Sequence, residues 1–165
     1  MFDFKYKKHN NIYNNLVKLS RNIYFYKDIK LEDKLENRII LIFAHLAIIL
    51  NVLKPYKEHT KFSQELYDNV FLNIENNFRE LGHGDVTVNK KMKLLNRTFH
   101  DILLKLINKK IDNNVNPEEI TKFLYKSSEN NEILEKLRVY FKKYQNFCFD
   151  IINKNMIKDL DKFEY

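Results

Sequence analysis

The chain contains little glycine, proline or cysteine for its length. Its 165 residues include two glycines, two prolines and one cysteine. Glycine and proline interrupt regular elements, so their scarcity favours long helices over many short strands. A lone cysteine, Cys148, excludes an internal disulfide framework and fits a reducing compartment. No segment alternates apolar and polar residues as a strand does, so the sequence predicts an all-α single domain of five to seven helices.

A continuous membrane-spanning run is also missing. The most apolar stretch, residues 39–53, is interrupted by His45 and Asn51 and is flanked by Arg38 and Lys54. It is shorter than the ~20 residues that cross a bilayer, which indicates a buried central helix. The first ten residues mix charged and aromatic side chains without the apolar core of a signal peptide. We therefore expect a soluble, cytoplasmic protein.

The residue pattern shows no obvious catalytic or metal-binding constellation. No two of the five histidines lie four residues apart or in a short Cys/His cluster. His83 and Asp85 flank Gly84 but have no nucleophile or phosphate loop nearby. His45 is interpreted as a hydrogen-bonded core histidine, with a partner or haem contact as the alternative. We expect no enzyme activity, no cofactor and no metal, and a packed, unreactive Cys148.

Positive charge is abundant, with a formal net charge of +7 at pH 7. This balance suits an acidic partner such as RNA, a ribosome surface or an anionic membrane leaflet, although solvated lysine faces are an alternative explanation. The chain lacks an RNP motif, a basic zipper and zinc-finger spacing, so specific DNA binding is not predicted. A basic RNA- or ribosome-binding helical module remains an alternative function.

Both glycines lie at one point, Gly82 and Gly84, between two helical patterns. Gly82 follows the first pattern where a left-handed C-terminal cap is expected. Asp85 or Thr87 would cap the second helix. The sequence thus predicts a helical hairpin with a glycine elbow, its two apolar faces formed by Tyr67, Val70, Phe71, Ile74, Phe78 and Leu81, and by Val88, Met92, Leu95, Phe99, Ile102 and Leu106.

The remaining helices follow from similar signals. The pattern predicts helices over about 10–26 and 35–53, the hairpin over about 61–109, and a polar loop at 112–116. Asn116 followed by Pro117 is typical of a helix start, and this helix should end near Ser127 and Ser128. The last segment predicts one long helix, or two with a break near Asn153.

Charged residues cluster around the elbow. Glu75 and Arg79 lie four residues apart and are expected to pair across a helical turn. Lys90, Lys91, Lys93 and Arg97 follow the elbow beside a helix N-terminus. They would form either an anion-facing patch or a solvated face.

The elbow resembles the signature of the ubiquinol–cytochrome c chaperone family. That signature is Leu-Arg-Glu-hydrophobic-Gly-x-Gly-Asp-hydrophobic-x-Val followed by a basic helix, and residues 78–88 of this chain read Phe-Arg-Glu-Leu-Gly-His-Gly-Asp-Val-Thr-Val. Upstream, Ser20-Arg21, Arg38 and His45 keep the family's order. The similarity covers about residues 13–106, with a helical extension over about 116–162 that offers no match. His83, Asn37 and the stretch 99–102 depart from the family pattern.

The resemblance implies an all-helical, non-enzymatic assembly factor for the cytochrome bc1 complex that binds newly made cytochrome b or another bc1 subunit. It also implies a small partner protein or a ribosome as further partners. A bacterial member would work peripherally on the cytoplasmic face of the inner membrane. The candidate client contacts are Arg79, Asp85, Lys90, Lys93 and His45, with Gly82 and Gly84 as the structural elbow.

Overall fold

The computed structural model describes residues 2–108, 114–125, 130–154 and 156–165. Within these ranges the chain forms seven α-helices, which confirms the all-α prediction. Two 3₁₀ helices, Lys57–His59 and Ile157–Lys162, and a two-residue antiparallel pair, β1 (Ile107–Asn108) with β2 (Asn114–Val115), complete the described elements. The helices are α1 (Phe2–Ser20), α2 (Ile23–Lys27), α3 (Leu35–Leu53), α4 (Thr60–Glu80), α5 (Asp85–Lys105), α6 (Pro117–Leu124) and α7 (Asn131–Asn153).

Helix α3 is the centre of the fold. It packs against α1, α4, α5, α6 and α7, and 13 of its 19 residues are buried. Among the described helices it alone is long and apolar enough to cross a membrane, yet here most of its apolar surface is covered by protein. The predicted buried central helix is therefore confirmed, with the predicted bounds.

Aromatic rings join α3 to the hairpin formed by α4 and α5. The ring of Phe43 stacks on Phe71 at 5.3 Å and meets Phe99 edge-on at 5.2 Å between centroids. Both geometries are favourable for aromatic pairs and add to the burial of large apolar surfaces. Buried residues from all seven helices belong to one hydrophobic cluster.

The elbow between α4 and α5 has the predicted left-handed glycine. Gly82 has φ +85°, its N–H donates to the Arg79 carbonyl at 2.9 Å, and the His83 N–H donates to the Phe78 carbonyl at 3.1 Å. These two bonds form a Schellman motif, which satisfies carbonyls at the end of α4. The Gly82 prediction is confirmed.

Three details of the elbow differ from expectation. Gly84 has φ −70° and precedes α5 without needing glycine's conformational freedom. Asp85 and Thr87 lie inside α5, which begins without a side-chain cap, so the predicted cap is wrong. Leu81 is 62% exposed, because α4 ends one residue earlier and the chain turns away from the core at Gly82.

The N-terminal helix was predicted as one segment over about 10–26, and this was wrong. Helix α1 starts at Phe2 and ends at Ser20, and a break at Arg21 and Asn22 separates it from α2. The Asn22 side chain accepts a hydrogen bond from the Tyr24 N–H at 2.9 Å. A new N-cap at Asn22 restarts the helix in a different direction.

The C-terminal expectations are met in part. The Asn116 side chain caps α6 by accepting from the Glu118 N–H at 3.1 Å. Helix α7 ends at Asn153, where a break was predicted. Helix α6 ends at Leu124, because the backbone becomes extended at Tyr125, and this is earlier than the expected end near Ser127 and Ser128, which lie outside the described residues. Residues 112–113 of the predicted polar loop also lie outside them, whereas Asn114–Val115 pair with β1 as β2, so that part of the loop prediction is wrong.

Candidate functional site

A groove opens between α1, α3 and α4, beside the elbow. Its cavity has a volume of about 70 Å³. Two leucines at its edge remain in water, Leu35 at 44% and Leu81 at 62% exposure. The groove is lined by the side chains of Tyr13, Val17, Ser20, Arg21, Leu35, Arg38, Ile39, Ile42, Ile74, Asn77, Phe78 and Leu81.

Two arginines line this groove and differ in their ion pairing. Arg38 donates from Nε and Nη2 to the two carboxylate oxygens of Asp33, at 2.7 and 2.8 Å. This bidentate pair fixes the guanidinium and lowers the pKa of the Asp33 carboxyl. Arg21, in the break between α1 and α2, is exposed and has no carboxylate within ion-pair distance among the described residues. Its charge is therefore available to an acidic group.

Most other polar groups that line the groove form hydrogen bonds with other residues of the protein. The Asn77 amide donates to the Tyr13 hydroxyl at 2.9 Å, and burial raises the pKa of Tyr13. The Ser20 hydroxyl donates to the Val17 carbonyl at 2.7 Å, and the Tyr26 hydroxyl donates to the Ser20 carbonyl. The groove thus offers an apolar floor and one cation that has no ion pair within the described ranges. Such a site suits an apolar segment that carries an acidic group.

Two predicted contact residues at the elbow bind each other. Arg79 pairs with Glu75 at 2.7 Å, as expected, and also with Asp85. Both hydrogen bonds raise the pKa of the Arg79 guanidinium, and the one to Glu75 has the larger effect. The end of α4 is thereby tied to the start of α5. Because both charges are already paired, Arg79 and Asp85 act in this structure as a link across the elbow.

Lys90 and Lys93 lie elsewhere. Both are exposed on the outward side of α5 and neither lines the groove. Their neighbour Lys91 instead turns inward, with its Nζ 5.2 Å from the centre of the Phe78 ring. The structure therefore separates the predicted basic patch from the groove.

His45 is a core residue. It is completely buried; its Nδ1 lies 2.6 Å from the Leu41 carbonyl and its Nε2 lies 2.8 Å from the Tyr140 hydroxyl. A carbonyl can only accept, so Nδ1 carries the proton and Nε2 accepts from Tyr140. Burial lowers the pKa of His45 to about 4. A neutral imidazole with both nitrogens bonded confirms the core interpretation and leaves no nitrogen for a client or haem.

Other potentially reactive groups are scattered or packed. Within the described ranges, no three His, Cys, Asp or Glu side chains are grouped so that they could hold a metal ion. Cys148 is fully buried and desolvation raises the pKa of its thiol, which confirms that it is packed. His83 lies edge-on against the Phe78 ring at 5.8 Å between ring centroids.

Sequence reasoning missed the groove, although it named several of its residues. Arg21 and Arg38 were identified as part of the order of residues shared with the family. Leu81 was assigned to the apolar face of the first hairpin helix. Only the packing of α1 against α3 and α4 brings them together. The sequence showed that Arg21 and Arg38 precede the elbow in the family's order. It did not show that the two arginines lie on one surface.

Comparison with known families agrees with the fold and with the elbow pattern. The model of the family described as ubiquinol-cytochrome C chaperone matches residues 27–141. The match covers more than half of the chain, starts later than the expected residue 13, and continues past residue 106 into α7. No curated protein and no solved structure gives a significant match. The chain belongs to the ubiquinol–cytochrome c chaperone family.

Proposed function

We propose that the protein is an assembly chaperone for the cytochrome bc1 complex that holds a segment of newly made cytochrome b in the α1–α3–α4 groove. Family membership supports a chaperone role, and the family's description names a client complex and no reaction. The groove is the observation that carries the proposal. It combines an apolar floor, two exposed leucines and the unpaired guanidinium of Arg21.

The size of the cavity indicates how a client would bind. About 70 Å³ admits individual side chains rather than a whole helix. A client segment would lie across the groove, place apolar side chains between Leu35 and Leu81, and present a carboxylate to Arg21. Such pocket-by-pocket recognition is usual for helices and extended peptides bound in grooves.

The location and further partners follow from the same proposal. Cytochrome b is made at the membrane, so the protein would act peripherally at the cytoplasmic face of the inner membrane. A small partner protein or the ribosome would bind surfaces outside the groove. The expected absence of enzyme activity is consistent with the family's chaperone description.

The test is affinity capture of the tagged protein from its native membranes in mild detergent, with mass spectrometry of the eluate. We expect cytochrome b to be enriched over other membrane proteins. Leu81→Asp and Leu35→Asp place a charge at the groove edge, next to the apolar client, and should reduce this enrichment at least tenfold. Leu72→Asp is the matched control, because Leu72 is 42% exposed on α4 and does not line the groove.

Two results would overturn the proposal. One is equal capture of cytochrome b by the groove variants and the Leu72→Asp control. The other is an eluate that contains ribosomal proteins or RNA without cytochrome b. The second result would support the alternative function of a basic ribosome-binding module.

A further inference from the structure

The outward side of α5 carries both positive charge and large aliphatic side chains. Val86, Leu94 and Leu104 are 70%, 64% and 71% exposed. On an α-helix these positions and the cations between them fall within an arc of about 100°. We call this surface the basic–apolar face; it consists of Val86, Lys90, Lys93, Leu94, Arg97 and Leu104, with one acidic residue, Asp101, in the same arc.

The described part of the fold leaves this face exposed to solvent. The opposite side of α5 supplies the buried residues Val88, Phe99 and Ile102 that pack toward the core. A single exposed leucine is ordinary on a protein surface. Three large aliphatic side chains on one side of one helix, interleaved with cations, are the pattern of an interfacial helix.

The cations on this face outnumber its acidic groups. Lys90, Lys93 and Arg97 have no ion pair with any described residue. Of the two aspartates of α5, Asp85 lies off this face and binds Arg79, whereas Asp101 falls within the same arc, four residues after Arg97, and lies 4.0 Å from Lys105. The face is therefore positive along most of the helix.

We propose that the basic–apolar face lies on an anionic bilayer, with its aliphatic side chains in the headgroup–acyl boundary and its cations beside the lipid phosphates. Charge complementarity selects an anionic partner. The aliphatic side chains favour lipid over RNA, because single-stranded RNA is typically bound by stacking its bases on aromatic rings. The inference extends the membrane location proposed above, but it uses residues outside the groove and can fail separately.

The experiment is co-sedimentation of the purified full-length protein with vesicles of phosphatidylcholine alone or mixed with phosphatidylglycerol. Binding should require phosphatidylglycerol and weaken at high salt. Each interfacial cation changes affinity about fivefold, so the variant Lys90→Glu/Lys93→Glu/Arg97→Glu should bind at least tenfold more weakly. The matched control, Lys27→Glu/Lys142→Glu/Lys158→Glu, changes the net charge equally at exposed sites on other elements and should bind far more tightly than that variant.

A second variant tests the aliphatic part. Val86→Ser/Leu94→Ser/Leu104→Ser keeps every charge and should also weaken vesicle binding, with circular dichroism confirming the fold. Leu35→Asp, which alters the groove, should leave vesicle binding unchanged. The proposal is overturned by an absence of binding to phosphatidylglycerol vesicles, by equal losses in the two charge variants, or by a serine variant that binds like the wild type. It is also overturned if the α5 charge variant loses affinity for an RNA oligonucleotide but not for vesicles.

Discussion

Helices α3 and α5 have similar lengths, 19 and 21 residues, but differ in how many of their residues are buried. Thirteen residues of α3 are buried, whereas only three residues of α5 are. About two-thirds of the positions of α3 are therefore constrained by packing, and a substitution at one of them acts through stability. The outward positions of α5 are exposed, so a substitution there should have little effect on stability.

The largest effect should come from the aromatic contact between these helices. Phe43→Ala removes a fully buried ring that touches Phe71 and Phe99. We expect the free energy of unfolding to fall by about 3–5 kcal/mol, measured by urea denaturation. Leu104→Ala on the outward side of α5 should change it by less than about 0.5 kcal/mol. Similar losses in both variants would contradict the assignment of α3 to the interior and α5 to the surface.

The second-largest effect should be the contribution of His45 to the pH dependence of the free energy of unfolding. The folded protein holds the pKa of His45 at about 4, below its ordinary value of 6.5. Between these values the unfolded chain binds a proton that the folded protein does not, so stability falls as pH decreases from 6.5 to 4. The loss contributed by this group is roughly 3 kcal/mol.

The measurement is the free energy of unfolding at several pH values for the wild type and His45→Gln. The variant should be less stable near pH 7, because it lacks the imidazole bonds, but should lose less stability on acidification. Carboxylate titration is common to both proteins, so the difference between the two curves isolates His45. Parallel curves would show that this histidine is not held neutral by the fold.

A smaller effect tests how the elbow places α5. Gly82→Ala puts a side chain at φ +85° with no atom within 4 Å, so its cost of roughly 1–2 kcal/mol is conformational. Gly84→Ser leaves φ −70° undisturbed and adds an N-cap hydroxyl, which should stabilise by a few tenths of a kcal/mol. Thermal unfolding should therefore shift in opposite directions. Destabilisation by both variants would mean that the elbow requires both glycines.

Local sequence patterns correctly predicted a helix where its apolar residues form one continuous pattern. The bounds of α3 followed from an apolar run between polar flanks, and the left-handed φ of Gly82 followed from its position after a periodic face. The break at Asn22 was missed because the apolar spacing continues from Leu19 to Ile23 across it. Leu81 was misplaced for a related reason, since periodicity does not show where a helix ends.

The candidate site depended on contacts that no local pattern encodes. Arg21 and Arg38 belong to separate elements and meet only through the packing of α1 on α3 and α4. The hydrogen-bond partner of His45 is Tyr140, 95 positions along the chain. The sequence could therefore indicate that His45 was internal without indicating which residue would satisfy it.

The packing of α1 against the last residues of the chain sets an order of events during synthesis. The Asn15 side chain donates to the Phe163 carbonyl across 148 positions, and Lys18 pairs with Glu164 across 146. In contrast, the α4–α5 hairpin is made from neighbouring residues and can form early, because local contacts have a low entropic cost of closure. Helix α1 leaves the ribosome before the other described helices but acquires its contacts with residues 163–165 after them. Until then, its contact surface for residues 163–165 stays uncovered on the nascent chain.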